Sequence, residues 1–212
     1  YREEYGTDPG AAYYSPGDYT PMIPLTYWTF RLMIGFGLLA AAGHSWGGQT
    51  VGTLLGARVI GPDGVVGPDL AHPAVRAGAL IATAGTGDSL SEYAREHLPF
   101  MRPDFSTMST PALVVAGGKD DSALSTRGPE WLIDAFHLSP GATDLMWIPD
   151  GEHTLGGIAG EAVRETTDEN PARVALVADA VAAYLLDALG VSSAAWEALR
   201  HADSVDFTVH RK

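Results

Sequence analysis

Leu38-Leu39-Ala40-Ala41-Ala42-Gly43-His44-Ser45-Trp46-Gly47-Gly48 decides how this chain is read. An apolar run over residues 38–42 leads into Gly43-His44-Ser45-Trp46-Gly47, which fits G-x-S-x-G, and a helix-compatible stretch follows. A strand that turns sharply into a helix around a serine is the setting of a nucleophile elbow. So tight a turn leaves no room for side chains beside the serine, which accounts for the small residues. It also lifts Ser45 Oγ clear at the carboxyl end of the sheet, above a helix amino terminus that favours developing negative charge.

A serine hydroxyl is a weak nucleophile at neutral pH, so it requires a histidine base and an acid that orients the imidazole. The chain offers both after apolar runs. Residues 77–84, 112–116 (Ala-Leu-Val-Val-Ala) and 144–148 read as buried strands. The second is followed by Gly117-Gly118-Lys119-Asp120-Asp121, and the third by Gly151-Glu152-His153. Asp120 closes a strand-Gly-x-x-Asp pattern and is favoured as the acid, with Asp121 as the alternative. Loop aspartates otherwise commonly cap or meet water. His153 is favoured as the base because it follows a strand end. His44 lies inside the elbow, where its ring is expected to point away from the nucleophile, and His72, His97, His137, His201 and His210 lack that placement. No histidine pair has metal-ligand spacing, and no metal or cofactor is expected.

The remaining pattern fills in an α/β order. A helix is expected over residues 47–60, a Pro/Gly/Asp loop over 61–71, a short helix over 89–97 and a connecting segment over 99–110. A long helix is expected over 171–189, with Pro171 at its first position and Gly190 as its stop. Strands alternating with helices imply a parallel sheet, here of about four strands flanked by helices. Phe100, Met101, Trp131 and Phe136 lie near strand ends and are candidates for an acyl pocket, although aromatic residues in such connections commonly pack against the sheet.

Composition limits the partners. The chain has 212 residues, 46% apolar and 18% charged, enough for one ordinary core. Thirteen Lys plus Arg against 26 Asp plus Glu gives a net charge of −13, which repels nucleic acid and anionic membranes and disfavours anionic substrates. With no cysteine, disulfides and thiolate chemistry are excluded. Residues 1–24 lack the basic end and apolar run of a signal peptide, which favours a cytoplasmic location. The uncharged run over residues 32–42 is 11 residues long, against about 20 for a membrane-spanning helix.

From residue 38 to residue 190 the chain resembles an α/β-hydrolase of the serine esterase and dienelactone-hydrolase-like kind. The resemblance rests on Gly43-His44-Ser45-Trp46-Gly47-Gly48, on Leu113-Val114-Val115-Ala116-Gly117-Gly118-Lys119-Asp120, and on Gly151-Glu152-His153-Thr154-Leu155-Gly156-Gly157. It implies hydrolysis of a small-molecule ester through an acyl-enzyme. Ser45 would attack, His153 would shuttle the proton, Asp120 would orient it, and the Trp46 backbone N–H would supply one oxyanion donor. Family members carry several strands before the elbow and a second oxyanion donor in a loop among them. One β-α unit takes about 25 residues, so the 42 residues before Gly43 hold at most two.

Residues 1–39 instead resemble a piece of subunit I of the cytochrome bd quinol oxidases. Tyr13-Tyr14-Ser15-Pro16-Gly17-Asp18-Tyr19-Thr20-Pro21-Met22 and Tyr27-Trp28-Thr29-Phe30-Arg31-Leu32-Met33 carry this likeness. It implies that Met33 corresponds to an axial haem ligand. No histidine precedes His44 to complete such a site, so Met33 reads as core filler. Two likenesses abut near residues 38–43 without a linker, which reads as a join between unrelated genes. The expected parts are an N-terminal segment (1–37), a hydrolase domain without its first strands (38–190) and a C-terminal tail (191–212). The elbow strand is then expected to lie at an apolar edge, open to self-association unless residues 25–37 cover it. Three functions compete on this sequence: a serine hydrolase impaired by a missing oxyanion loop, a non-catalytic truncated remnant, and a membrane fragment of a haem oxidase.

Overall fold

A computed structural model describes residues 39–158 and 168–212. The chain divides into Tyr1–Leu38 and Leu39–Lys212, and every described residue belongs to the second unit. The oxidase-like stretch, Met33 and the expected cover from residues 25–37 lie outside the described residues.

Four strands run parallel in the order β1 (Ala40–His44), β3 (Ala77–Ile81), β5 (Ala112–Gly117) and β6 (Ala142–Ile148). Between them come α1 (Trp46–Leu54), α2 (Glu92–His97) and α3 (Asp134–Leu138). A short antiparallel pair, β2 (Arg58–Val59) and β4 (Pro103–Asp104), lies apart from the main sheet. After β6 come α4 (Pro171–Ala188), α5 (Ala194–Arg200) and β7 (Thr208–Arg211). The fold is α/β, with a mostly parallel five-stranded sheet between helices.

The near-continuous apolar strands follow from burial on both faces. Because side chains alternate along a strand, β5 sends Val114 to one face and Leu113 and Val115 to the other. Likewise Leu80 of β3 and Leu145 of β6 join Val51 and Leu55 of the first face, whereas Ile81, Met146 and Ile148 meet Val177, Ala180 and Tyr184 of α4 on the second. A third cluster, with Met101, Ala116, Trp131 and Leu132, sits near the carboxyl ends of the strands.

Three sequence expectations are revised. The helix expected over residues 47–60 ends at Leu54, because Gly56 adopts φ 109°. Gly56 N–H bonds Thr53 O and Ala57 N–H bonds Gly52 O, the two bonds of a Schellman stop that glycine makes cheap. The strand expected over 77–84 stops at Ile81, where Ala82 turns the chain at φ 45°. The residues set apart as a tail supply α5 and a fifth strand, antiparallel to β6. Trp196 of α5 is fully buried edge-on against Tyr184, and Arg211 of β7 stands opposite the buried Asp144 of β6. The long helix matches its signals. Asn170 Oδ1 caps Arg173 N–H at 3.1 Å, and Gly190 takes φ 71° after the last turn. Among the described residues, no helix is long and apolar enough to cross a membrane.

Candidate active site

The carboxyl ends of β1, β5 and β6 meet at one edge of the sheet, where open α/β sheets place their sites. Ser45 joins β1 to α1 at φ 55°, ψ −119°, a left-handed conformation that a serine rarely adopts. Its N–H bonds Ile81 O at 2.8 Å, extending the β1–β3 ladder by one residue. A Cβ on Gly43 would strike the carbonyl of Gly47, and one on Gly48 would strike Thr83 Oγ1. Gly47, the second glycine of the pentapeptide, faces open space. The steric demand expected of the motif therefore falls on Gly43 and Gly48.

Two further loops complete the arrangement. After β5 the chain turns at once, with Asp120 N–H bonding Gly117 O at 3.3 Å. After β6, Lys119 N–H bonds Gly151 O at 2.9 Å and stitches the loop of Asp120 to the loop of His153. His153 Nδ1–H donates to Asp120 Oδ2 at 2.8 Å, and Ser45 Oγ–H donates to His153 Nε2 at 2.9 Å. The carboxylate accepts only, which sets the proton on Nδ1 and leaves the Nε2 lone pair for the hydroxyl. Asp120 is 2% exposed, whereas Asp121 is exposed at the rim, so of the two acids Asp120 partners the imidazole. Trp46 opens α1, so its N–H belongs to the first-turn amides that no intrahelical carbonyl can reach. The second oxyanion donor expected from the resemblance belongs ahead of the elbow, and the described residues begin at Leu39.

Ser45, Trp46, Asp120 and His153 line a cavity of about 330 Å³. Its apolar wall includes Met101, Trp131 and Leu132, and its polar side includes Lys119, Asp121 and Glu152. Of the four pocket candidates, Met101 and Trp131 line this cavity. Phe136 packs instead in the core with Val51 and Leu80, and Phe100 stands edge-on to Trp46 with its carbonyl bound by Gln49 Nε2–H. Lys119 is paired with Asp150, and that pairing holds the Asp150 carboxyl below the usual carboxylate range.

Two residues that the motif reading did not assign touch the base's loop. His44 Nε2–H donates to the His153 carbonyl at 2.7 Å. Burial holds the His44 ring below the ordinary histidine range, so it is neutral near pH 7. Asp168 Oδ2 accepts from Glu152 N–H at 2.9 Å, Gly156 N–H at 3.2 Å and the Arg173 guanidinium at 2.8 Å. Nothing local in the sequence marks Asp168. No protein-family model matches the chain, and no curated protein matches it.

Proposed function

We propose that this protein is a serine hydrolase of the α/β-hydrolase type that cleaves carboxylic esters through an acyl-enzyme. The observation that carries the reading is the unbroken line from Ser45 Oγ through His153 to Asp120, at 2.9 and 2.8 Å, inside a cavity. Ser45 Oγ attacks the ester carbonyl carbon while its proton passes to His153 Nε2. Asp120 offsets the charge of the resulting imidazolium. The oxyanion develops at the amino terminus of α1, where Trp46 N–H points its partial positive charge. As the intermediate collapses, the ester C–O bond breaks and the leaving alkoxide takes the proton from His153. Water then attacks the acyl-Ser45 carbonyl carbon and gives a proton to His153; as the bond from Ser45 Oγ to that carbon breaks, His153 returns the proton to Oγ and the acid is released.

The cavity also bears on the substrate. Asp121 contributes negative charge at its polar side, and Lys119 is paired with Asp150, so a neutral ester is favoured over an anionic one. A fluorophosphonate probe tests the proposal directly. Intact mass is expected to show one adduct on the parent protein and none on Ser45→Ala. A folded parent without an adduct, or an adduct that persists in Ser45→Ala, rejects it.

A further inference from the structure

The His153 ring is bonded to Asp120 and its side chain is 43% exposed, so its place before Ser45 also depends on where its backbone is held. A misplacement of 1 Å typically costs about 100-fold in rate. The loop that carries His153 has its ends fixed by Asp168, which accepts from the amides of Glu152 and Gly156. Its middle is fixed by His44, whose Nε2–H reaches the carbonyl of His153 itself. The two imidazole rings lie 5.0 Å apart and tilted by 49°, so His44 stands beside the base without entering the proton path.

We propose that His44 is a positioning residue, which ties the backbone of the base to the strand end that carries the nucleophile. This inference rests on the reading of Ser45 and His153 given above. His44 and Ser45 are covalent neighbours, and His44 is the last residue of β1, paired in register with Ile81 of β3. One sheet position therefore sets both the nucleophile and the carbonyl behind the base. The bond asks only for an N–H at the right reach. A glutamine amide nitrogen stands as many bonds from Cβ as histidine Nε2, an asparagine amide falls one short, and phenylalanine keeps the ring without a donor.

The test measures the rate of fluorophosphonate modification for His44→Gln, His44→Asn and His44→Phe in the full chain, with thermal midpoints alongside. His44→Asn and His44→Phe are expected to react about 100-fold more slowly than the parent, while His44→Gln recovers most of the rate. The Gln and Asn variants are expected to share one thermal midpoint, which separates reach from stability. If His44→Phe does not fold, the Gln and Asn comparison stands without it. Equal rates for Gln and Asn, or parent rates in every variant, overturn the proposal. A second readout needs no turnover. The His153 Nδ1–H proton resonance, assigned by its loss in Asp120→Asn, is expected to persist in His44→Gln and to broaden or vanish in His44→Asn; persistence in both overturns the inference. A parent that takes no adduct overturns the nucleophile reading itself, and this resonance then decides the His44 contact alone.

Discussion

At the turn that carries Ser45, atoms fill the space where a side chain would stand: the Gly47 carbonyl beside Gly43, and the Thr83 side chain with the Gly43 carbonyl beside Gly48. At the loop that carries His153, side chains reach in from other elements to hold peptide groups, with His44 on a carbonyl and Asp168 on two amides. The first arrangement is set by excluded volume, between backbone groups inside residues 43–48 and against Thr83 just past the end of the neighbouring strand. The second is assembled from contacts 109, 16 and 12 residues apart. Steric constraints fail abruptly when an atom is added, whereas hydrogen-bonded constraints fail by degrees when a partner is removed.

On the proposed function, the largest effect is expected where His153 meets Asp120. Asp120→Asn keeps the volume but reverses the tautomer preference of His153, because an amide N–H facing Nδ1 drives the ring proton to Nε2. The rate of adduct formation is expected to fall about 10,000-fold, equivalent to about 5 kcal/mol of barrier. Asp121→Asn, at the exposed neighbour, serves as the control, and a loss there as large as at Asp120 would undo the assignment of the acid.

Gly48→Ala attacks the steric side of the comparison. The added methyl would meet the side chain of Thr83, which is buried, as well as the Gly43 carbonyl at 3.0 Å. Overpacking of this kind is expected to cost about 3 kcal/mol of stability, read by urea denaturation, together with the loss of labelling at Ser45. A loss well under 1 kcal/mol would mean that the turn yields more easily than its contacts imply.

Asp168→Asn probes the hydrogen-bonded side and is expected to act more gently. The amide oxygen keeps one acceptor, but the charge facing Arg173 is gone, at a cost of about 1.5 kcal/mol. Both side chains are mostly buried, so the loss is not masked by water. Amide exchange at Glu152 and Gly156 is expected to quicken before global stability changes, since the bonds lost belong to that loop. Unchanged exchange there would separate Asp168 from the base's loop.

These two regions also explain what could be read from the residues alone. The pentapeptide turn at Ser45, the apolar run of β5, and Pro171 and Gly190 at the two ends of α4 are local patterns, each legible in a few adjacent residues. The end of α1 at Leu54 is also written locally, in Gly56, but the sequence offers no proline or polar break beside it. The fifth strand, Thr-Val-His-Arg, carries no apolar pattern, because β7 is largely exposed and binds through its backbone to β6. Its place is marked instead by Asp144, a buried carboxylate of β6 that stands opposite Arg211. His44 and Asp168 act on peptide groups remote in sequence, and no spacing rule announces a side chain that holds a distant backbone.

Gly47→Ala gives the smallest effect and the sharpest form of the comparison. Gly47 carries the motif's second glycine, yet a Cβ there meets nothing within 4 Å. It lies in the first turn of α1 with ordinary helical neighbours, where glycine forfeits backbone entropy relative to alanine. The substitution is therefore expected to stabilise the protein by about 0.5 kcal/mol, seen as a small rise in the urea midpoint at unchanged slope. Gly43→Ala, at the motif's first glycine, is expected to destabilise it, because there the methyl would meet the Gly47 carbonyl, a backbone atom that cannot rotate aside. Opposite signs at two glycines of one pentapeptide would show that the pattern is enforced by the contacts of each position in this fold. Equal losses at both would mean that the turn tightens around Gly47 beyond the geometry described, and would return the constraint to the motif as a whole.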